Sequence, residues 1–534
     1  MGNLYKEGEN RKQQIFFPPS IDEYVSADNP VRAIEDYVEL LDMIELGFTK
    51  AALNSSDGQP AYHPKLLLKI YIYGYLNKVR SSRRLEVEIK RNIEMMWLCV
   101  GLQPSYKTIA NFRKENSKAL KKVFREFVLL CRDIDLVTGE LVAIDGAFLR
   151  ANASKNQLIS KKNVVSDLAK IDEKIDEYLN ALNFSDNSDK TEQPLKPTAN
   201  YLSKMKTKKA KLDKDLALLE KMGVTQYNRT DPDAKKMVKP SHNLMAYNSQ
   251  IAVDSEHKLI VATDVSSEGQ DYHQLYPMAK EAKAILDQDH LNVVADAGYY
   301  GGKQVNNCKK ENITPYLSIP DKQKGREKKG FFPQDAFTYD PSNDLFICPN
   351  QKELHKSTAV QIGQDDTRYY FYGAAIKSCS TCPIRSQCIP DKSRFKKISI
   401  SEYYQTVKEH ARMMQTAHAK NVINKRAAIC EHPFGTIKQT LGWSHFLVRG
   451  IEKVSGENAL IMFIYNFRRV LNLIGQNLFR QLISALKNNE NIDAIKTEIA
   501  LQIAVSIEIW TVLVQILQLN GFRYDFWDLK AKSV

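Results

Sequence analysis

Apolar positions recur at helical spacing through roughly the first 135 residues and then change to short β-type runs. "HPKLLLKIYIYGYLNKV" predicts an apolar helix with Pro64 near its start, and "SSRRLEVEIKRNIEMMWLCVG" a second with Ser82 as N-cap and Gly101 as stop. "YKTIANFRKENSKALKKVFREFVLLCRDI" predicts a third. From there "ELVAI" reads as a strand delivering Asp145 at its end, followed by Gly146. "SQIAVD" and "LIVATDV" flank "SEHK" as a hairpin, "QDYHQLYPMAKEAKAIL" reads as a helix, and "LNVVA" as a further strand ending at Asp296. Three strands, a helix and a fourth strand is the order of an RNase H-like core, in which the first and fourth strands lie side by side. Asp145 and Asp296 are then expected at one edge of the sheet.

Between residues 161 and 223 the period returns to three and four. Leu168, Ile171, Ile175, Leu179 and Leu182, then Leu212, Leu216 and Leu219, predict a helical hairpin inserted in the core, joined by the polar linker "FSDNSDKTEQPLKPTAN". The resulting fold class is mixed α and β: an RNase H-like, retroviral-integrase-like core with helical insertions, behind an all-α helix-turn-helix-like domain. The expected domains are 1–135 for the helical DNA-binding part and 136–475 for the core, with insertions at 161–223 and 303–420 and a C-terminal helical segment at 476–534.

The 534 residues carry a formal net charge of +13, with 43% hydrophobic and 26% charged residues, a globular composition that favours a polyanionic partner. Fifteen Lys and Arg stand against four Glu between His63 and Arg125, so the charge is concentrated on the helical part. Helix, tight turn and basic helix there resemble a helix-turn-helix reader of double-stranded DNA, with Arg83, Arg84, Lys107, Arg113 and Lys114 as candidate contacts. A bundle with a solvated basic face has the same pattern. The N-terminus lacks the pattern of a signal peptide, and the late run "IALQIAVSIEIWTVLVQILQL" is interrupted by Gln502, Glu508 and Gln515. That helix is expected to be buried or to face a partner near Trp510, and the protein to be soluble and intracellular with no membrane association.

Two metal ions acting on a phosphodiester need two or three converging carboxylates. Glu431 is the candidate for the third, with Lys438 seven residues on, near one helix face, to meet phosphate; Pro433 predicts a kink or restart between them. The order "AIDGA", "ADAGYYGG" and "CEHPFGTIK" behind a basic helical domain resembles the DDE transposases of bacterial insertion sequences. "RTDPDAKKM" and "CSTCPIRSQC" resemble segments of one branch of that family, and the resemblance runs from about residue 10 to 475. It implies that Asp145, Asp296 and Glu431 are catalytic and hold two magnesium or manganese ions. It also implies a transposase that binds its element's inverted repeats, cleaves the ends and joins the 3′-hydroxyls to target DNA in the bacterial cytoplasm at the nucleoid, as a homodimer. One departure is that Asn424 and Ala427 stand where the family has Tyr and Arg, with Arg426 one residue off. The alternatives are a catalytically inactive DNA-binding descendant and an RNase H-like nuclease without strand transfer.

Four of the eight cysteines, Cys348, Cys379, Cys382 and Cys388, fall in one interval with knuckle-like spacing, which suits a structural zinc, although unrelated free thiols would read the same. The basic loop "DKQKGREKKG", Trp443, Arg449, Arg468 and Arg469 have possible DNA roles beside plain structural ones, and Asp231, Asp233, Asp254, Asp264 and Asp271 are alternative metal ligands, most of them also explained as turn and cap residues.

Overall fold

The computed structural model describes residues 20–51, 60–186, 199–238, 243–320, 328–363 and 365–519, and their side chains except for 181–186, 199–200, 507 and 510–519. Trp510 and residues 321–327 of the basic loop therefore lie outside what is described. The described residues up to Phe127, with Thr436–Trp443 and those from Glu452 onward, form one compact unit; Val128–Gly435 and Ser444–Ile451 form another.

The first unit is helical. Pro64 occupies the first turn of the helix Pro64–Leu76, where its missing N–H is not needed. The two long helices expected after it are each broken by an Asn. Asn92 ends Ser82–Arg91 and caps Ile93–Leu98 by accepting from the Glu94 and Met95 amides, and buried Asn116 separates Tyr106–Glu115 from Ser117–Asp133. The start also shifts by one residue, with Ser81 at the N-cap position in place of Ser82.

Glu457, fully buried in the helix Ile451–Lys487, is the polar centre of this unit. It accepts from the Tyr75 hydroxyl at 2.8 Å, Arg113 Nη1 at 3.2 Å and Arg80 Nη2 at 3.4 Å. Tyr37, Phe127 and Phe463 pack around each other with ring centroids 5.2–5.6 Å apart. Residues 452–475, expected with the core, thus cluster with the N-terminal helices, and Arg480 of the expected separate C-terminal segment pairs with Asp36 at 2.5 Å. Trp443 is buried against Tyr75, a core position.

The second unit is built on a sheet. Its strands are β1 (Val142–Arg150), β2 (Leu158–Ser160), β3 (Gln226–Asn228), β4 (Lys235–Val238), β5 (Asn243–Asp254), β6 (Ile260–Ser266), β7 (Leu291–Ala295) and β8 (Ile313–Leu317). The main sheet runs β4-β5-β1-β7-β8, with β6 also on β5. β1 pairs antiparallel with β5 and parallel with β7, so the expected first and fourth strands are neighbours. β8 pairs parallel with β7, so residues expected at the start of an insertion belong to this sheet.

The helical hairpin is present as Lys161–Asp186 and Ala199–Lys221. Ion pairs Lys161–Glu220 and Asp172–Lys209 make the two helices antiparallel, over a core of Val164, Ile171, Leu212 and Leu219. Further on, β9 (Thr338–Asp340), β10 (Leu345–Ile347), β11 (Glu353–Ile362), β12 (Arg368–Ala374) and β13 (Lys397–Ser401) form a second antiparallel sheet around Phe346, Leu354 and Tyr372. Among the described residues no helix is long and apolar enough to cross a membrane.

Replacing Glu457 by Gln would remove the carboxylate that buried Arg113 and partly buried Arg80 bond to. A loss of about 3–5 kcal/mol is expected, read as a lower denaturant midpoint for the helical signal.

Candidate active site

Asp145 does not end its strand. β1 continues to Arg150 because long β5 pairs with it residue by residue, placing Asp145 opposite Ile251 in mid-strand. Asp296 does stand directly after β7, where its side chain caps a short turn by accepting from the Gly298 amide at 2.8 Å. Because β1 and β7 are adjacent, the two carboxylates share one electrostatic neighbourhood. Burial raises the Asp145 carboxyl above the ordinary range, and Asp296 and Asp271 raise it further, against the lowering effects of the Gly146 amide and Arg426.

Arg426 is the cation of this group. Its Nη1 lies 3.6 Å from Asp145 Oδ2, both side chains being about a quarter exposed. The helix carrying it, Ala417–Gly435, packs on β1, β7 and β8. Asn424 and Ala427 stand as in the sequence, and it is position 426 that meets the first carboxylate.

Asp271, one of the alternative ligands in the sequence, is held in the acidic group. Its Oδ1 accepts from Asn248 Nδ2 at 2.7 Å and Gln250 Nε2 at 2.6 Å, and the Tyr299 hydroxyl donates to Gln250 Oε1, fixing which end of that amide faces Asp271. Asn248 and Gln250 are fully buried on β5, and Asn248 Oδ1 has no hydrogen-bond partner. The same three side chains close over Gly146. A Cβ there would meet Gln250 Nε2 at 2.4 Å, Asp271 Oδ1 at 2.8 Å and Asn248 Oδ1 at 2.9 Å, so only glycine fits after Asp145. The signal available in the sequence was the polar triplet Asn248-Ser249-Gln250 in an otherwise apolar strand.

Glu431 is exposed, five residues after Arg426 on the same helix. Among the described residues no three His, Cys, Asp or Glu side chains already stand as a metal cage. The helix runs through Pro433 to Gly435 and gives way to a π-helical turn, Thr436–Thr440, that carries Lys438. The change of period removes the regular face on which Glu431 and Lys438 were expected to align.

Of the expected DNA contacts, Arg83, Arg84, Lys107 and Lys114 are exposed, Arg83 lying over the Tyr106 ring at 5.2 Å. Arg113 is corrected: it is 6% exposed and bonded to Glu457 and Tyr75, so its charge is consumed inside. In the second sheet, Cys348, Cys379 and Cys388 pack beside its core. Asn350 Nδ2 approaches Cys382 Sγ at 3.6 Å, the Lys352 amide donates to Cys348 Sγ at 3.3 Å and the Lys396 amide to Cys379 Sγ at 3.5 Å. Burial raises the Cys388 thiol, and the other three thiols add to it.

Residues 19–115 match a family described as Transposase domain (DUF772), and residues 347–471 one described as Transposase DDE domain. The matches support a DDE-type transposase. No curated protein matches the chain. A cryo-EM structure of the piggyBac transposase synaptic complex with hairpin DNA aligns over 90% of this chain and 80% of that one, at 9% identity and a TM-score of 0.28, a likeness too slight to carry argument.

Asp271→Asn removes one of the negative charges that raise Asp145. The Asp145 carboxyl is expected to titrate at lower pH in that variant, followed by NMR of carbon-13-labelled aspartate, and an unmoved titration would count against the grouping.

Proposed function

We propose that the chain is a transposase that binds the terminal inverted repeats of its own insertion sequence, cuts the strands there and joins the freed 3′-hydroxyls to target DNA. The observation that carries this reading is the pair Asp145 and Asp296 on adjacent parallel strands of a sheet whose order, β6-β5-β1-β7-β8, is that of an RNase H-like core. The two family matches support it.

The donor set suits a hard divalent cation. Asp145 and Asp296 supply oxygen, Asp271 adds another carboxylate, and the buried Asn248 Oδ1 lacks a partner. Magnesium held by Asp145 and Asp296 would supply Lewis-acid stabilisation of charge on a phosphodiester. Glu431 enters on its motif, from the helix that also carries Arg426. Without a cation, Arg426 offsets the charge of Asp145, and it is placed to turn to a phosphate oxygen once that charge is otherwise balanced. Arg83, Arg84, Lys107 and Lys114 would hold duplex ends, Lys438 a phosphate, and two copies would pair two ends. Cys348, Cys379, Cys382 and Cys388 would hold a structural zinc, a reading supported by their knuckle-like spacing and by backbone amides that donate to the Cys348 and Cys379 sulfurs, although the four do not stand as a preformed cage.

A labelled duplex carrying the end sequence that flanks the gene tests this reading. Magnesium-dependent cutting at the end is expected from the parent, falling by about 100-fold or more in Asp145→Asn, Asp296→Asn and Glu431→Gln. Binding without cutting in all four would leave a DNA-binding protein, and cutting without joining a nuclease. For the cysteines, elemental analysis of the purified chain is expected to give one zinc per chain, lost in Cys379→Ser/Cys382→Ser; a metal-free parent of unchanged melting temperature would remove the zinc assignment.

A further inference from the structure

A cleft of about 920 Å³ lies at the far end of β1, away from the acidic group. Arg150, Lys155, His445 and Arg449 line it with Asn152 and Ser154, and among the described residues no carboxylate does. Its walls are fixed by backbone bonds. The Arg150 amide donates to the Ser444 carbonyl at 3.0 Å, the Phe446 amide to the Arg150 carbonyl at 2.9 Å, and the Ala151 amide to the Met245 carbonyl at 2.8 Å. Asn152 Nδ2 donates to the Leu447 carbonyl at 2.9 Å, and Arg449 Nε to the Asn152 carbonyl at 3.0 Å, which sets the guanidinium over the cleft wall. The nearby carboxylates are engaged elsewhere: buried Asp231 accepts from the Tyr247 hydroxyl and the Gly450 amide, and Asp233 accepts from the Ile451 amide. Arg150 and Lys155 are exposed and, among the described residues, make no ion pair.

Three separated permanent cations, amide and hydroxyl side chains between them, and no acid in the lining suit a run of phosphodiesters better than an apolar or cationic ligand. We propose that this cleft holds the phosphate backbone of double-stranded DNA, as a sequence-independent contact of the sheet unit that is additional to the helical unit's basic residues. The proposal rests on the transposase reading. Five residues of strand separate Asp145 from Arg150, roughly 17 Å at strand rise. Strand alternation puts Arg150 on the face opposite Asp145, so the contact lies past the strand end and does not extend over the acidic face.

The test measures affinity of the full chain against salt concentration for two labelled duplexes of one length, one carrying the element end and one scrambled. In Arg150→Ala/Lys155→Ala the slope of log affinity against log salt is expected to become shallower by about two, at about 0.9 per phosphate contact, and by the same amount on both duplexes. Lys155→Arg alone is expected to keep the parent slope, and Lys155→Glu alone to lose more than one contact's worth. A folded double variant with the parent slope on duplexes that the parent binds would overturn the cleft while leaving the transposase reading intact. A parent that binds neither duplex would overturn both.

Discussion

The pairing of β1 on both sides decides where the chemistry of this molecule can occur. Its antiparallel bond to β5 brings Asn248 and Gln250 alongside Gly146, and its parallel bond to β7 brings Asp296 alongside Asp145. A one-residue slip in either register would turn Asp145 to the other face of the sheet. The register is held by apolar residues on both sides, Val142, Ala143 and Ile144 against Ile251, Ala252 and Val253, all fully buried. The acidic group is therefore assembled by the hydrophobic core, against the repulsion of the carboxylates themselves.

That repulsion is visible in the raised Asp145 carboxyl and in the devices that contain it. Amides absorb charge at Asp271, a turn amide does so at Asp296, and Arg426 does so at Asp145. At Asp145 both oxygens are engaged, Oδ1 by the Gly146 amide and Oδ2 by Arg426. Replacing such a group with apolar residues of equal volume would cost little stability or even add to it, so the acidic group is not what holds the sheet together.

Much of this was legible beforehand, and the failures have physical causes. Strand β7 and Asp296 follow from an apolar run stopped by glycine-rich turn chemistry, and the helical hairpin follows from spacing alone. Asp145 was misplaced at a strand end because Gly146 reads as a stop, whereas here it is the residue that lets Asp271 approach. Asp271 could not be singled out from four other candidate aspartates because nothing local separates a turn aspartate from one held by the side-chain amides of Asn248 and Gln250 on β5. The second sheet was read only as a cysteine-bearing insertion, since its strands β9 and β10 are three residues long and carry little periodicity. Arg113 looked like a DNA contact because charge in a sequence does not say where its partner lies, and Glu457 is more than three hundred residues away.

The same point limits what net charge can say about DNA. Of the cations between His63 and Arg125, Lys69 is buried between Glu35 and Glu39, Lys65 reaches Glu39, and Arg80 and Arg113 converge on Glu457. Lys90 and Arg91 pair along their own helix. Lys65, Lys69, Arg80 and Arg113 are committed to the bundle, whereas Lys90 and Arg91 stay more than half exposed. The other cations of that interval, Arg84, Lys107 and Lys114 among them, are exposed. A polyanion would meet that surface, while Arg150, Lys155 and Arg449, in a stretch whose composition attracts no notice, face a cleft with no carboxylate among its described lining residues. Where a basic protein touches DNA is thus decided by which cations the fold leaves unspent, and that is a property of packing before it is a property of composition.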